Sequence, residues 1–501
     1  MIEVHNPADG RIVGTVADTD PAQVAAVVAR LRSEQPAWAA LAPSERVEWI
    51  LRLQDWIFAN SAEIADLMQA ETAKPRVDAE VEPMFVAEVI GYYAANAARF
   101  LAPEQPRPHS PANLSKKLAV TYHPYPVVGV ITPWNYPLAL PGIDAVPALL
   151  AGAAVVIKPS EATPLSALEL ARGWAEIGAP PVLEVITGRG ATGAAVVDAV
   201  DFVQFTGSTR TGKAVGHACV DRMIPYSLEL GGKDPALVLA DADIDRAARG
   251  IAFGGMLNAG QMCTSIERVY VDDAVYDEFV DRLVEVVGEL RMGVDDREFR
   301  YDIGPLIDSA QVEIVRRHTA EAVAAGARVV VGGAPTGQGN FFEPTVLVDI
   351  DHSMSCIAEE TFGPTLPIVR VADEDEAVRL ANDSPYALSA TVWTGDRARG
   401  ERVASRLEAG TVNINDAHVN LFNLAVPMGG WKQSGVGARF GGAYGIRKYC
   451  RARVVTVDRL PVAKSPSELL WFPYSRRKAG LALGMMRALR ARGLRARIGK
   501  H

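Results

Sequence analysis

The stretch NAGQMCTSIERVYV, residues 258–271, sets a cysteine, Cys263, after a small-residue turn and before a strand-like run. A thiol so placed can act as a nucleophile once it loses its proton. At an ordinary pKa of about 8.5, only a few per cent is thiolate at pH 7, so a base, a helix N-terminus or a cation has to help. The bland alternative, a small buried hydrophobe, fits Cys219, Cys356 and Cys450. Three other stretches have the makings of a phosphate and ribose site. GRGATG, Gly188 to Gly193, is a GxGxxG between strand-like VLEVIT and a helix, the context of a dinucleotide fingerprint. The acid expected about 20 residues on is missing; Asp201 lies 13 past Gly188 and precedes its strand. FTGSTRTG, Phe205 to Gly212, also follows a strand-like run and opens a helix, whose first N–H groups attract phosphate. In VVIKPSEATP, Lys158 leaves a strand and Glu161 follows Pro159. The lysine can reach a hydroxyl or a phosphate, and the acid can hold ribose hydroxyls. Each stretch alone is also a common solvated turn; together they point to a dinucleotide site.

The bulk numbers narrow the function classes. A chain of 501 residues allows two to four domains, and 49% hydrophobic with 22% charged residues is an ordinary globular balance. A net charge of −9 argues against a nucleic-acid binder. The four cysteines lie far apart with no CxxC, which argues against a disulfide framework or a zinc site and for a reducing compartment. No metal is expected. The first residues lack the basic-then-apolar pattern of a signal peptide, and no apolar run reaches the roughly 18 residues of a membrane span. The expected location is cytoplasmic. From Lys464 onward ten basic residues face one acid, Glu468. This tail mixes leucine and methionine with arginines that do not fall cleanly on one helical face. It is a candidate for weak, peripheral membrane-surface contact, against a solvated or neighbour-packed tail.

The elements that must position these residues follow from periodicity. DPAQVAAVVARLRSE, SERVEWILRLQDWIFAN and SAEIADLMQAETAK read as three helices, each with its own Asp or Ser start. APEQPRPHSPANL reads as a linker and KKLAVTYHPYP as a strand. From Val127, β-branched runs alternate with helical stretches, the pattern of a parallel sheet with crossover helices. A second block from ERVYVDD to SATVWTG repeats it. The expectation is two α/β domains joined near residue 232.

Seven motifs, in order, resemble the aldehyde dehydrogenase superfamily: TPWNYP (132–137), KPSE (158–161), FTGST (205–209), LELGGKDP (228–235), NAGQMC (258–263), EETFGP (359–364) and PMGGWKQSG (427–435). The likeness covers residues 1 to about 458, and the tail and Asp144 look similar to actinobacterial succinate-semialdehyde-dehydrogenase-like members. It implies an α/β fold with a Rossmann-variant NAD domain (1–112 and 127–231) and an α/β catalytic domain (232–443). A small β extension (113–126 and 444–458) would build homodimers or homotetramers, and 459–501 is the basic tail. It also implies cofactor contacts. Thr132, Pro133 and Trp134 come from the first motif, Lys158, Ser160 and Glu161 from the second. Phe205, Thr206, Gly207 and Ser208 would lie near the pyrophosphate, with Gly188 flanking the adenine side. Glu360 would hold the nicotinamide ribose and Phe362 would pack beside the ring. A glutamate at 161 would repel a 2′-phosphate, so NAD is favoured, with NADP not excluded.

The implied catalytic residues are Cys263, Glu229 and Asn135. An aldehyde must become tetrahedral before it can give hydride, and Cys263 would form that thiohemiacetal. The Asn135 amide and the Cys263 N–H would hold its oxyanion. Hydride transfer leaves a thioester, and Glu229 would deprotonate the water that hydrolyses it. Two departures stand out. Many relatives carry a lysine where this chain has Asp144, which puts a proposed proton relay in doubt. No arginine occurs in 138–144 to meet a substrate carboxylate. Trp134, Leu138, Leu257, Phe422 and Met428 are the expected pocket walls, so a hydrophobic aldehyde, aromatic or medium to long chain, is the expected substrate. The alternatives are a succinate-semialdehyde dehydrogenase and, from another class, a cysteine esterase or hydrolase.

Overall fold

The computed structural model describes residues 1–110, 113–437, 439–459 and 466–492. The chain divides into two compact units. One holds Met1–Ala98 and Pro124–Tyr449; the other holds 99–123 and the described residues from 450 on.

The larger unit contains two mainly parallel sheets. The strands Val127–Ile131, Ala154–Lys158, Leu183–Val185, Phe202–Thr206 and Tyr226–Glu229 form the first. In chain order their arrangement is 5-4-1-2-3, with all neighbours parallel. The first two, VVGVI and AVVIK, are buried at every position, as strands covered on both faces must be. Gly129 allows the helix Gly190–Ala199 to approach: a Cβ there would sit 2.9 Å from Val196. The order reverses between Val127–Ile131 and Phe202–Thr206. Ligands of open α/β sheets bind beyond the carboxyl ends of the strands at such a switch point. Those ends lead directly into Thr132-Pro133-Trp134 and Gly207-Ser208.

The second sheet has seven strands, from one edge to the other Arg328–Val331, Thr345–Val348, Thr365–Val371, Ile266–Asp272, Asp234–Val238, Ser389–Trp393 and Thr411–Ile414. Only the first runs antiparallel to its neighbour. The chain passes from the first sheet to the second between Glu229 and Asp234. It returns late, when Gly435–Val436 pairs antiparallel with Tyr226–Glu229.

At the N-terminal end, the two helices expected over 44–60 and 61–74 are one helix, Pro43–Thr72. Ser61 does not cap a new start; its Oγ donates back to the Phe58 carbonyl at 3.1 Å, a bond compatible with an unbroken helix. In the smaller unit, Lys116–Pro124 pairs with Cys450–Asp458 as a two-stranded sheet. The Lys116 ammonium and Asp458 carboxylate, 2.8 Å apart, tie one end. Further on, the helix Arg476–Arg490 starts at Ser475, whose Oγ accepts the Lys478 N–H at 3.1 Å. Within it Leu481, Met485 and Leu489 recur every four residues, opposite Arg476, Arg487 and Arg490. Arg477 and Lys478 fall outside that arginine side, so the basic residues do not keep to one face, as the sequence suggests. Residues 460–465 and 493–501 of that tail lie outside the described residues. No described helix is long and apolar enough to cross a membrane.

Candidate active site

The loop before Cys263 is held in an unusual backbone path. Asn258, Ala259 and Gly260 all have positive φ, at 51°, 55° and 72°. For the two that carry a Cβ, this costs about 1–3 kcal/mol each and persists only where neighbours dictate it. Here the neighbours are polar and buried. The Asn258 amide donates to the carbonyls of Asn135 and Gln261, both at 3.2 Å. The Gln261 amide donates to Asn258 and Pro305 at 3.0 and 3.2 Å, and its oxygen accepts the Ile307 N–H at 2.8 Å. Gly260 has no alternative, since a Cβ would stand 2.2 Å from the Gly363 carbonyl oxygen. Asn135 joins the same network: its Nδ2 donates to the Gln261 carbonyl at 3.0 Å and its Oδ1 has no partner among the described residues.

The result is a cavity of about 480 Å³ that gathers Cys263, Glu229, Asn135, Glu360, Phe362, Pro133, Trp134, Thr206, Gly207 and Ser208 on one surface. Cys263 is partly exposed. Burial, then the nearby Glu229 carboxylate, push its thiol up to about 12, so it rests protonated. Glu229 is 1% exposed, and its Oε1 has no hydrogen-bond partner among the described residues. Burial pushes its carboxyl up to about 7, opposed by Arg439 and Lys448 and assisted by Asp144. A carboxyl poised near neutrality is the property a general base needs.

Glu360 accepts the Gly232 N–H at 3.1 Å. A Cβ at Gly231 would stand 2.4 Å from its Oε2. Burial, then Glu267, raise this carboxyl to about 8. A half-buried acid so short of donors fits the hydroxyls of a ribose. Thr132 and Thr206 also bury hydroxyls that have no partners among the described residues. Ser208 caps the helix Thr209–Asp221, accepting the Thr211 N–H, so the first N–H groups of that helix open beside the cavity. The residues present therefore fit a dinucleotide cofactor. The Phe362 and Trp134 rings meet edge to face at 5.5 Å.

The remaining expected contacts lie at strand ends away from this cavity. Lys158 ends its strand, 3.3 Å from Glu161. Gly193 of GRGATG lies against it, with a Cβ there 3.8 Å from Lys158 Cδ. Gly188 packs on Thr192, in a tight turn. Ser160 closes a local turn by accepting the Ala162 N–H at 3.3 Å. Phe205 is a buried strand residue whose ring packs under Gly207.

Of the expected walls, Trp134, Leu257, Phe422 and Met428 line the cavity, joined by Val81 and Phe85. Leu138 does not: it is wholly buried where the helix Ala139–Ala151 begins. The sequence reading missed a supporting ion pair, Lys74 to Glu82 at 2.6 Å, almost wholly buried. Lys74 donates to the Asn135 carbonyl at 2.9 Å. Glu82 accepts the N–H groups of Leu138 and Ala139 at 3.0 and 2.9 Å. It also missed Asp78 and Arg439 in the cavity wall. All read as ordinary charges on helix or loop surfaces, with no motif to mark them.

Residues 1–455 match the profile of the aldehyde dehydrogenase family. A Mycolicibacterium smegmatis protein named "Putative succinate-semialdehyde dehydrogenase (NADP+)" is 41% identical over 456 residues, 90% of this chain and 87% of its own. The 4,4'-diapolycopene aldehyde oxidase of Methylomonas is 36% identical over 478 residues, 95% and 88% of the two chains. Among solved structures, Staphylococcus aureus betaine aldehyde dehydrogenase with NAD+ superposes with a TM-score of 0.86 at 30% identity, over 92% of this chain and 94% of that one.

Proposed function

Since this chain belongs to the aldehyde dehydrogenase family and is an NAD(P)-dependent oxidoreductase, we propose that it oxidises a hydrophobic aldehyde to the carboxylic acid through Cys263. The observation that carries this reading is the convergence of Cys263, Asn135, Glu229 and Glu360 on one cavity. The protonated Cys263 thiol first gives up its proton, and Glu229, near neutrality, is the base at hand. The thiolate adds to the aldehyde carbon. The Asn135 amide and the Cys263 N–H then hold the oxyanion, at about 3–4 kcal/mol per donor. Bound NAD(P), with Glu360 and the switch-point loops as its holders, supplies the hydride acceptor. Loss of hydride from the tetrahedral carbon leaves the thioester. Glu229, once it has passed the thiol's proton to solvent, takes a proton from water as the water oxygen bonds to the acyl carbon, and the carbon–sulfur bond breaks to release the acid.

The cavity's charges favour an uncharged substrate. Asp78, Glu82, Glu229 and Glu360 line it against one cation, Arg439, which is paired with Asp144. His418, also in the wall, is held neutral by burial, down to about 4. Among the described lining residues Arg439 is the one cation a substrate carboxylate could meet, and Asp144 already faces it at 3.5 Å. The edge-to-face rings of Phe85 and Phe422, 5.6 Å apart, offer an apolar wall. The name of the Methylomonas relative supports a hydrophobic aldehyde, and that of the M. smegmatis relative supports the rival, succinic semialdehyde. Steady-state NAD(P)H formation across hexanal, benzaldehyde and succinic semialdehyde, with both cofactors, tests the choice. Higher kcat/KM for the first two is expected, and a preference for succinic semialdehyde over both would sink the reading.

The finer assignments follow the same reading. NAD is preferred because Glu161 stands at the end of the strand Ala154–Lys158, where a ribose is expected. The spans 1–112 with 127–231 serve the cofactor and 232–443 the chemistry. The ribbon of 113–126 and 444–458 joins copies into dimers or tetramers. Its support is an exposed strand, Cys450–Asp458, paired on one side only, with Val454, Val455 and Val457 in solvent. The described tail exposes Trp471, Phe472 and Tyr474 beside the basic helix, which supports contact with an anionic membrane surface.

A further inference from the structure

Asp144 sets a charge problem for the site. It is wholly buried in the helix Ala139–Ala151, and its carboxylate opposes ionisation of Glu229. The compensating charge comes from the far end of the chain. Gly435 pairs opposite Glu229 across the antiparallel strands, so the segment that follows leads Arg439 into the cavity wall. Arg439 is 2% exposed. Its Nη2 lies 3.5 Å from Asp144 Oδ2, yet neither Nε nor Nη2 has a hydrogen-bond partner among the described residues. Buried guanidinium groups ordinarily use their donors. Glu229 Oε1 is unpartnered as well.

The rest of the cluster is well tied. Lys448 Nζ donates to Gln204 Oε1 at 2.6 Å, to Asp144 Oδ1 at 3.4 Å and to the Arg439 carbonyl. The Tyr449 hydroxyl donates to Asp144 Oδ1 at 3.2 Å. Asp144 thus faces the guanidinium at 3.5 Å, while Lys448 holds the Arg439 backbone carbonyl.

We propose that Arg439 is a positioning residue for thioester hydrolysis: its two unused donor groups serve the Glu229 carboxylate and its water, and its charge offsets that of Asp144. The proposal rests on the reading of Glu229 as general base. In the step concerned, water oxygen bonds to the acyl carbon, its proton passes to Glu229, and the carbon–sulfur bond breaks to return the Cys263 thiolate. No electrons change hands. The charged and titratable groups that act on Glu229 are Asp144, Arg439, Lys448 and Cys263; Asp234 and Glu360 act on Cys263 as well. The two cations favour the charged form of Glu229, and Asp144 disfavours it. In many resembling sequences the residue at 144 is a lysine; here the cation reaches the site from the opposite side and the helix supplies the acid.

The sign of each effect gives the test. Hydrolysis of p-nitrophenyl acetate by the full chain isolates acylation (the burst) from deacylation (the steady rate). Arg439→Met should raise the acid limb of the deacylation profile by about one pH unit and slow turnover about tenfold below it. Asp144→Asn should move the same limb down. Arg439→Lys should restore it, and Arg439→Gln replaces the Met variant if that one fails to fold. Unchanged melting and NADH binding guard against a merely structural loss. A limb that stays in place in folded Arg439→Met, or that moves the same way in both variants, overturns the proposal. The general-base reading fails separately, if Glu229→Gln leaves the limb and the steady rate intact.

Discussion

At position 161 a carboxylate stands 3.3 Å from the Lys158 ammonium, with 44% of its side chain exposed. Burial lowers the lysine's pKa and Glu161 opposes that shift, so the acid helps keep Lys158 charged. A second phosphate on the adenosine ribose would have to displace this acid or lie against it. Glu161→Ser frees the ammonium and removes the repulsion, a change on the order of 1–2 kcal/mol in favour of NADP. The ratio of kcat/KM for NADP over NAD should rise about tenfold, and an unchanged ratio would remove Glu161 from cofactor choice. At this scale the sequence was informative where a residue sat inside a distinctive string. Cys263, Glu229, Asn135 and Glu360 all did, and all four reach the same cavity. Arg439 sits in no motif named above, and its meaning depends on Asp144, 295 residues away in the chain. No local pattern encodes such a pair.

Among the helices of the larger unit that begin without a side-chain cap of their own, two are served from elsewhere in the chain. The helix Leu165–Glu176 starts at Pro164, and Ala139–Ala151 starts at Leu138. Buried acids from other helices answer for both. Glu71 accepts the Leu165 and Ser166 N–H groups, each at 2.8 Å. Glu82 serves Leu138 and Ala139 and carries Lys74 as well. An acid at a helix start is favourable for the exposed N–H groups and for the dipole. Glu82→Ala leaves the Lys74 ammonium buried without its partner, so the urea midpoint should fall by the equivalent of about 3–5 kcal/mol. Glu82→Leu combined with Lys74→Met should recover most of that loss, because the uncompensated charge goes too. If the single variant were as stable as wild type, the pair would have no structural weight. Periodicity found the helices but could not find these caps, because they come from residues far away in sequence. It also split Pro43–Thr72 at Ser61, since a serine that bonds back to the preceding turn looks like one that starts a helix.

The tail is a matter for the whole molecule, because it adds charge and apolar surface outside the cavity-bearing unit. A basic helix with exposed Leu481, Met486 and Leu489, preceded by exposed aromatic residues, has the composition of an interfacial anchor. Each basic residue near an anionic surface is worth about 1 kcal/mol. The full chain should sediment with vesicles rich in phosphatidylserine at low salt and less so at high salt. It should leave pure phosphatidylcholine vesicles unbound. Deleting 464–501 should abolish the binding; binding unchanged by the deletion would dismiss the membrane role. The parallel sheets were legible from alternation alone, whereas the return of Gly435–Val436 to the first sheet was not, since two residues carry no period. That late return has a consequence for synthesis. The cavity wall runs from Val77 to Phe440 in chain order. A ribosome must release nearly nine-tenths of the polypeptide before the last piece of the wall exists. Until then Glu229 lacks both its edge partner and its cation. A nascent or truncated chain can therefore hold most of its helices and strands and still turn over nothing.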